Sequence, residues 1–443
     1  MRPLHLLTLP PGGADPLAKP AYGAALAEAR ERTLSLVDPV SEENINRQHH
    51  PLMSPLVWDL GHIAAFEDLW LCQRAGGLEP LRGELSDVYD AAETPRAVRG
   101  DVPYLRRGEA LDFMRQVRER ALGVLDRADL SEDGDRLNAG GFVWEMLIQH
   151  EHQHNETMLQ TLQLVGPDVY SPERRPLPPA PARGGLPTVE VAEGPFVMGD
   201  PGAGFAYDNE RPSREVHLPA FEIDRTPVTN GAFLDFVADG GYYRRRLWDP
   251  SGWDWRRSEG VERPLFWSGD GQERRFERVG PIDAAKPVMH VSWFEADAFA
   301  RWRGARLPTE QEWEKAAAWD PATGQSRRWP WGDGDPTAQL ANIDQQAFGP
   351  APAGALPAGA SPCGALGMIG DAWEWTASRF DGYQGFAAFP YPQYSEVFFG
   401  GDFRVLRGGA WATRPSIARN TFRNWDHPQR RQIFSGFRCA QDA

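Results

Sequence analysis

The chain has 443 residues, with 47 basic and 62 acidic side chains, a net charge of -15 and an isoelectric point near 5.2. That length suits two or three domains with substantial cores, of which two are expected, and the acidic balance argues against nucleic-acid or anionic-membrane partners and favours small molecules. Apolar runs fall short of the roughly 20 residues a membrane helix needs, and the opening MRPLHLLTLPPGGADP lacks a proper signal-peptide core and cleavage site. Three cysteines, Cys72, Cys363 and Cys439, provide no disulfide framework, so a cytoplasmic protein is expected.

From about Pro20 to Val165 apolar residues recur at helical spacing. Helices are predicted from about Ala21 to Val37, stopped by Asp38-Pro39, and from about Pro55 to Gln73. A third runs through Leu111, Met114, Val117, Ala121, Leu122 and Leu125, and a fourth from about Phe142 to Leu164. Four long helices predict a four-helix bundle over residues 1–170, an architecture whose metal sites are built inward from facing helices. The stretch SPERRPLPPAPARGGLP, residues 171–187, reads as an extended linker. Residues 188–443 change to short strands and loops, rich in tryptophan, glycine and arginine. Their clearest helices are Trp293 to Arg303 and Thr309 to Ala318, the latter with Thr309 as N-cap. The second domain is therefore α+β with much irregular structure, and no fixed repeat suggests a solenoid or propeller.

The fourth helix carries QHEHQHNETM, residues 149–158. Successive helix residues are about 100° apart, so His150 and His154 share a face with Val143, Leu147, Thr157, Met158 and Thr161, while His152 points away. Two imidazoles one turn apart on an apolar stripe have the spacing used to chelate a transition metal; hydrogen-bonded core histidines are the competing reading. His62, in line with Trp58, Phe66 and Leu69 on the second helix, supplies a third neutral ligand, a set suited to iron, copper or zinc. His49-His50 precedes Pro51 and reads as structural. The string also contains H-E-x-x-H, with Glu151 as the would-be base of a zinc protease. Thr157 and Gln160 occupy the positions where the extended motif has glycine and a third histidine, and a downstream glutamate would have to be Glu173 in the linker. The protease match therefore reads as accidental.

Taken together, LMSPLVWDLGH, QHEHQHNET and the C-terminal FRNWDHPQRRQIFSGFRCA resemble the ergothioneine-pathway sulfoxide synthases, iron-dependent enzymes that join hercynine to a thiol. The resemblance covers essentially the whole chain. It implies an α+β fold of a DinB-like four-helix bundle and a formylglycine-generating-enzyme, C-type-lectin-like domain, which GPFVMG, RLPTEQEWEKAA, GDAWEWTAS and VLRGGAW also resemble. The cysteine pair that oxidises substrate in the formylglycine-generating enzymes has no counterpart motif in Cys363 and Cys439, so the second domain is expected to be a substrate-binding wall. A purely structural module is the competing reading.

Carried over by motif, the resemblance implies that His62, His150 and His154 hold Fe(2+), and that Gln153 contacts the hercynine imidazole. A set without a carboxylate leaves the ferrous charge uncompensated until a thiolate arrives. The resemblance also implies that Asn424 and Trp425 meet the trimethylammonium group, which offers no hydrogen-bond donor and suits an aromatic face. Asp426 would pair with a γ-glutamyl amino group and Arg430 with a carboxylate; surface ion pairing is the alternative for both. Arg96 and Arg99, in ETPRAVRGD, imply γ-glutamylcysteine as the thiol donor. Tyr391 and Tyr394, with Tyr383 as an outlying third, are the candidates for proton donor; Tyr391 is assigned the proton and Tyr394 the pocket, although spacing does not separate them. Hercynine, γ-glutamylcysteine and O2 are thus the expected partners. The competing function is a DinB-type zinc enzyme transferring a low-molecular-weight thiol.

Overall fold

A computed structural model describes residues 18–179, 187–202 and 204–443. The opening segment read above, and residues 180–186 of the proline-rich stretch, lie outside the described residues. The chain divides into two compact units, Met1–Ser171 with Gly202–Phe205, and Pro172–Pro201 with Ala206–Ala443.

The first unit is built on four long helices: α1 (Ala18–Val37), α2 (Leu56–Glu67), α3 (Arg107–Arg127) and α4 (Phe142–Leu164). The predicted second helix is two pieces, because α2 passes at Asp68 into a π-helical segment ending at Ala75. The widening falls where two adjacent carboxylates are both anchored: Glu67 binds Arg30 at 2.7 Å and Arg118 at 2.6 Å, and Asp68 binds Arg120 at 2.7 Å. Burial of α4 extends almost around its circumference. One side meets α1 through a polar seam, in which Thr33 Oγ1 lies 2.8 Å from Glu151 and 2.9 Å from Asn155, and Arg30 binds Glu151 at 2.8 Å. The other side carries His150 and His154 towards α2. Glu151 is buried because its charge is met by Arg30 of α1 and Arg118 of α3, while Glu145 accepts from Gln149 one turn along the same helix.

In the second unit, strand Phe221–Asp224 lies between Thr188–Val191 and Ala440–Asp442, antiparallel to both. A second sheet runs in the order Asn424–Asp426, Arg404–Arg407, Trp373–Arg379, Ser435–Gly436. The helix Glu310–Ala318 begins with the expected cap: Thr309 Oγ1 accepts from the Glu312 N–H, and the Glu312 carboxylate accepts from the Thr309 N–H. Helices at Asn230–Ala238 and Pro250–Ser258 were not expected, although Thr229 and Asp249-Pro250 are N-terminal signals for them. The described start of the proline-rich stretch is tied to this unit, Arg174 binding Glu277 and Arg175 N–H donating to the Gln346 carbonyl.

The family-like phrases of the second half form a buried ionic scaffold. Arg423 makes a fork on Glu310 at 3.0 and 2.9 Å, and Arg407 reaches both Glu310 and Glu314. Arg438 clasps Glu374, which also accepts from Trp313 Nε1 at 2.8 Å. These residues come from RLPTEQEWEKAA, GDAWEWTAS, VLRGGAW and the C-terminal segment. Gly408, at φ +91°, sits where a Cβ would lie 2.5 Å from the Met368 carbonyl, so only glycine allows this approach.

Candidate metal centre and substrate strip

One possible ligand atom from each of His62, His150 and His154 falls within 4.8 Å of the others. The three rings are packed at centroid separations of 5.2, 4.7 and 4.6 Å. An aromatic wall holds them: Trp58 stacks on His62 at 5.1 Å, and Phe66 stacks on His150 at 3.9 Å. Nδ1 of His62 lies 2.7 Å from the Tyr89 carbonyl. A carbonyl only accepts, so Nδ1 carries the proton and Nε2 is left with a lone pair that could bind a metal. Gly61 permits this arrangement, since a Cβ there would lie 2.2 Å from the Tyr89 ring.

Burial, then the neighbouring His154, holds the His62 imidazole well below its ordinary range, with smaller contributions from Arg99 and Arg96; the Tyr89 bond opposes them. Burial and the other two histidines do the same to His150. Neutral imidazoles are the form a metal binds. Nδ1 of His150 and Nδ1 of His154 are buried without a hydrogen-bond partner, and a polar cluster left in that state is the donor set expected of a site for a divalent transition ion.

His152 is confirmed off the ligand face, 3.6 Å from Glu28 of α1. Glu151 faces away from the three-histidine group: it is bound by Arg30, Thr33 and Arg118. The same geometry removes it as a protease base. His49 and His50 are structural, one bonded to the Asn44 carbonyl and the other accepting from the Leu52 N–H. Gln153 is half-buried next to His154.

Arg99 is more internal than the sequence suggested, at 5% exposure. Its guanidinium lies 3.7 Å over the Trp58 ring and donates to the Thr94 carbonyl and Ser54 Oγ. Burial lowers it to about 10, partly offset by Asp59. Arg96 is half-buried. Asp59 itself escaped sequence reasoning. It is fully buried in α2, and its Oδ1 is 3.4 Å from Nδ1 of His154. The available signal was a lone carboxylate one turn before His62 within the apolar run SPLVWDLGHIAAF.

In the second unit Asn424, Trp425 and Asp426 form an edge strand paired with Leu406, Val405 and Arg404. Side chains alternate along a strand, so Trp425 takes one face and Asn424 and Asp426 take the other. Trp425 stacks on Phe380 at 4.0 Å, with Tyr394 edge-on at 5.8 Å and Phe398 at 5.5 Å. Tyr391 lies 6.3 Å from Tyr394, which stacks on the buried Tyr207 at 4.2 Å. Tyr391, Tyr394 and Trp425 therefore form one aromatic group. Tyr383 is separate from it, buried beneath Arg423 at 4.3 Å and Arg214 at 4.6 Å. Arg430 Nε is 3.4 Å from Asp426 Oδ1 in the ion pair named above as the alternative to ligand binding.

All three cysteines are free thiols. Burial first, and then Asp224, push the Cys439 thiol well above its ordinary range, and Cys363 is engaged with Ser361 and the Ala316 carbonyl. Arg303 lies beside Cys439, but burial and Asp224 outweigh it, so this thiol is not activated as a thiolate. No helix among the described residues is long and apolar enough to cross a membrane.

Residues 25–158 match the DinB superfamily and residues 175–443 the Sulfatase-modifying factor enzyme 1-like domain. A histidine-lined bundle joined to such a domain defines a two-domain, metal-dependent enzyme acting on small molecules. The chain is 50% identical to hercynine oxygenase of Mycolicibacterium thermoresistibile over 429 residues, 94% of each chain. It is also 50% identical to hercynine oxygenase of Mycobacterium tuberculosis over 422 residues, covering 94% of this chain and 97% of that one. The formylglycine-generating enzyme of Streptomyces coelicolor is 31% identical over 300 residues, 58% of this chain and 89% of that enzyme. The chain belongs to the hercynine oxygenase family.

Proposed function

We propose that the protein joins hercynine to γ-glutamylcysteine at the expense of O2, forming a C–S bond at the imidazole carbon between the two ring nitrogens and leaving the sulfur as a sulfoxide, a step of ergothioneine biosynthesis. The observation that carries this reading is the convergence of His62, His150 and His154 in a chain half identical, over nearly its whole length, to hercynine oxygenases. The atoms balance: the imidazole C–H and thiol S–H hydrogens leave with one oxygen atom as water, and the other oxygen stays on sulfur.

Fe(II) is the proposed metal, held by His62, His150 and His154; once bound it would supply redox contact with O2 and a site for the thiolate. Gln153 is proposed to orient the substrate imidazole. Trp425 offers a quadrupole to the trimethylammonium group and Asn424 a polar oxygen; Asp426 is proposed to pair with the γ-glutamyl amino group. Arg430 would exchange its contact with Asp426 for the donor's carboxylate, and Arg96 and Arg99 would favour γ-glutamylcysteine over cysteine. Tyr391 is proposed to hold a proton at its phenolic oxygen, with Tyr394 lining the pocket. Reaction in the cytoplasm is part of the proposal.

The zinc thiol-transferase alternative is not favoured, because it assigns no role to the likeness that runs through both domains. The test is metal analysis after anaerobic purification, followed by oxygen uptake with hercynine plus either thiol. One O2 consumed per sulfoxide in an iron-loaded enzyme is the expected result; zinc-supported thiol transfer without oxygen uptake would overturn the reading.

A further inference from the structure

Asp59 lies three residues before His62 on α2, hence on a neighbouring part of the same helix face. Its side chain is 1% exposed, and neither carboxylate oxygen accepts a hydrogen bond from another described group. The orphaned Nδ1 of His154 is 3.4 Å from its Oδ1. Arg99, close enough to feel its charge, spends two of its donors on the Thr94 carbonyl and Ser54 Oγ. Two unsatisfied polar groups, one of them a carboxylate, thus face each other in the wall of the three-histidine group, and such a pair is costly to leave unmade.

We infer that Asp59 is a positioning residue for the metal site: its carboxylate accepts a hydrogen bond from the Nδ1–H of His154, fixing the tautomer that presents Nε2 and making this imidazole a stronger donor. His62 has its counterpart in the neutral Tyr89 carbonyl, so the two ligands are tuned differently. A site with three neutral ligands would thereby gain a carboxylate behind one of them, the usual place for a partner that orients a histidine and raises its basicity.

The inference rests on the three-histidine reading, and the experiment separates the two. Apo wild type, Asp59→Asn and Asp59→Ala are titrated with Co(II), following its d–d absorption and the affinity by competition with a chromophoric chelator, and the melting temperature of each apo protein is measured. Both variants are expected to bind Co(II) about 10- to 100-fold more weakly, with altered d–d bands. The apo melting temperatures establish that each variant is folded before its affinity is read. Wild-type binding together with variant affinities within about twofold would overturn the role of Asp59 alone; failure of the wild type to bind would overturn both. Asp59→Asn preserves the side-chain volume and carries the test if Asp59→Ala does not fold.

Discussion

The main-chain carbonyl of Tyr89 lies 2.7 Å from Nδ1 of His62, and the ring of Tyr89 packs against the bare Cα of Gly61. One glycine therefore controls the orientation of a proposed metal ligand. Gly61→Ala would place a methyl group 2.2 Å from the Tyr89 ring, so Tyr89 must move and carry its carbonyl with it. Expected is a loss of about 1–3 kcal/mol from overpacking, together with less metal retained per chain, read by thermal melting and metal analysis.

Glu151 is held at 2.8 Å by Arg30 and at 3.2 Å by Arg118. Glu151→Gln should destabilise the bundle by about 3–5 kcal/mol, the usual cost of breaking a buried pair from one side, while the folded protein keeps its metal and its turnover number. Urea unfolding and metal content of the folded fraction read the two effects. Loss of turnover with unchanged stability would instead revive a catalytic role for this residue.

Trp425 is the proposed cation acceptor. A cation–π contact is worth about 0.5–2 kcal/mol, so Trp425→Ala should raise KM for hercynine roughly twofold to thirtyfold and leave the affinity for the thiol little changed. Tyr391→Phe, which removes only the phenolic oxygen, should divert turnover towards simple thiol oxidation. Unchanged sulfoxide yield per O2 would eliminate Tyr391 as the proton source.

His290 is buried in the second unit and lowered to about 3, mainly by burial, despite its bond to the Arg431 carbonyl. The unfolded chain takes up this proton below about 6.5, whereas the folded protein resists it until about 3. The folded state therefore binds fewer protons in that interval, and stability falls as pH drops, by at most about 1.4 kcal/mol per pH unit from this group. His290 also has φ +59°, a conformation that asparagine tolerates better than most residues. His290→Asn should flatten the dependence of the urea midpoint on pH below about 6.5.

The residues legible in the sequence were those whose position follows from one helix alone. His150 and His154 share a face by helical geometry, and His62 joins them because its own stripe is apolar. Glu151 was not legible in this way, because its direction matters only once Arg30 and Thr33 of α1 arrive 121 and 118 residues away in sequence. Asp59 was hidden for the opposite reason: a single acid in an apolar helix has no local pattern, and its meaning comes from His154 on another helix. The alternation that separates Asn424 from Trp425 required knowing that the segment is a strand. The aromatic and glycine-rich phrases of the second half were read as marks of a fold, and the buried fork of Arg423 on Glu310 supplies the physical reason for several of them.

The strand Ala440–Asp442 completes a sheet whose central strand, Phe221–Asp224, was synthesised more than two hundred residues earlier. Pairing over such a separation is slow, because the intervening loop must close before the contact repays it. The bundle helices, by contrast, are complete by Leu164. On the ribosome the three histidines can therefore gather well before the second unit closes, and premature termination between Asp224 and residue 440 would release a chain with the proposed metal ligands in place and an unpaired strand edge exposed to aggregation.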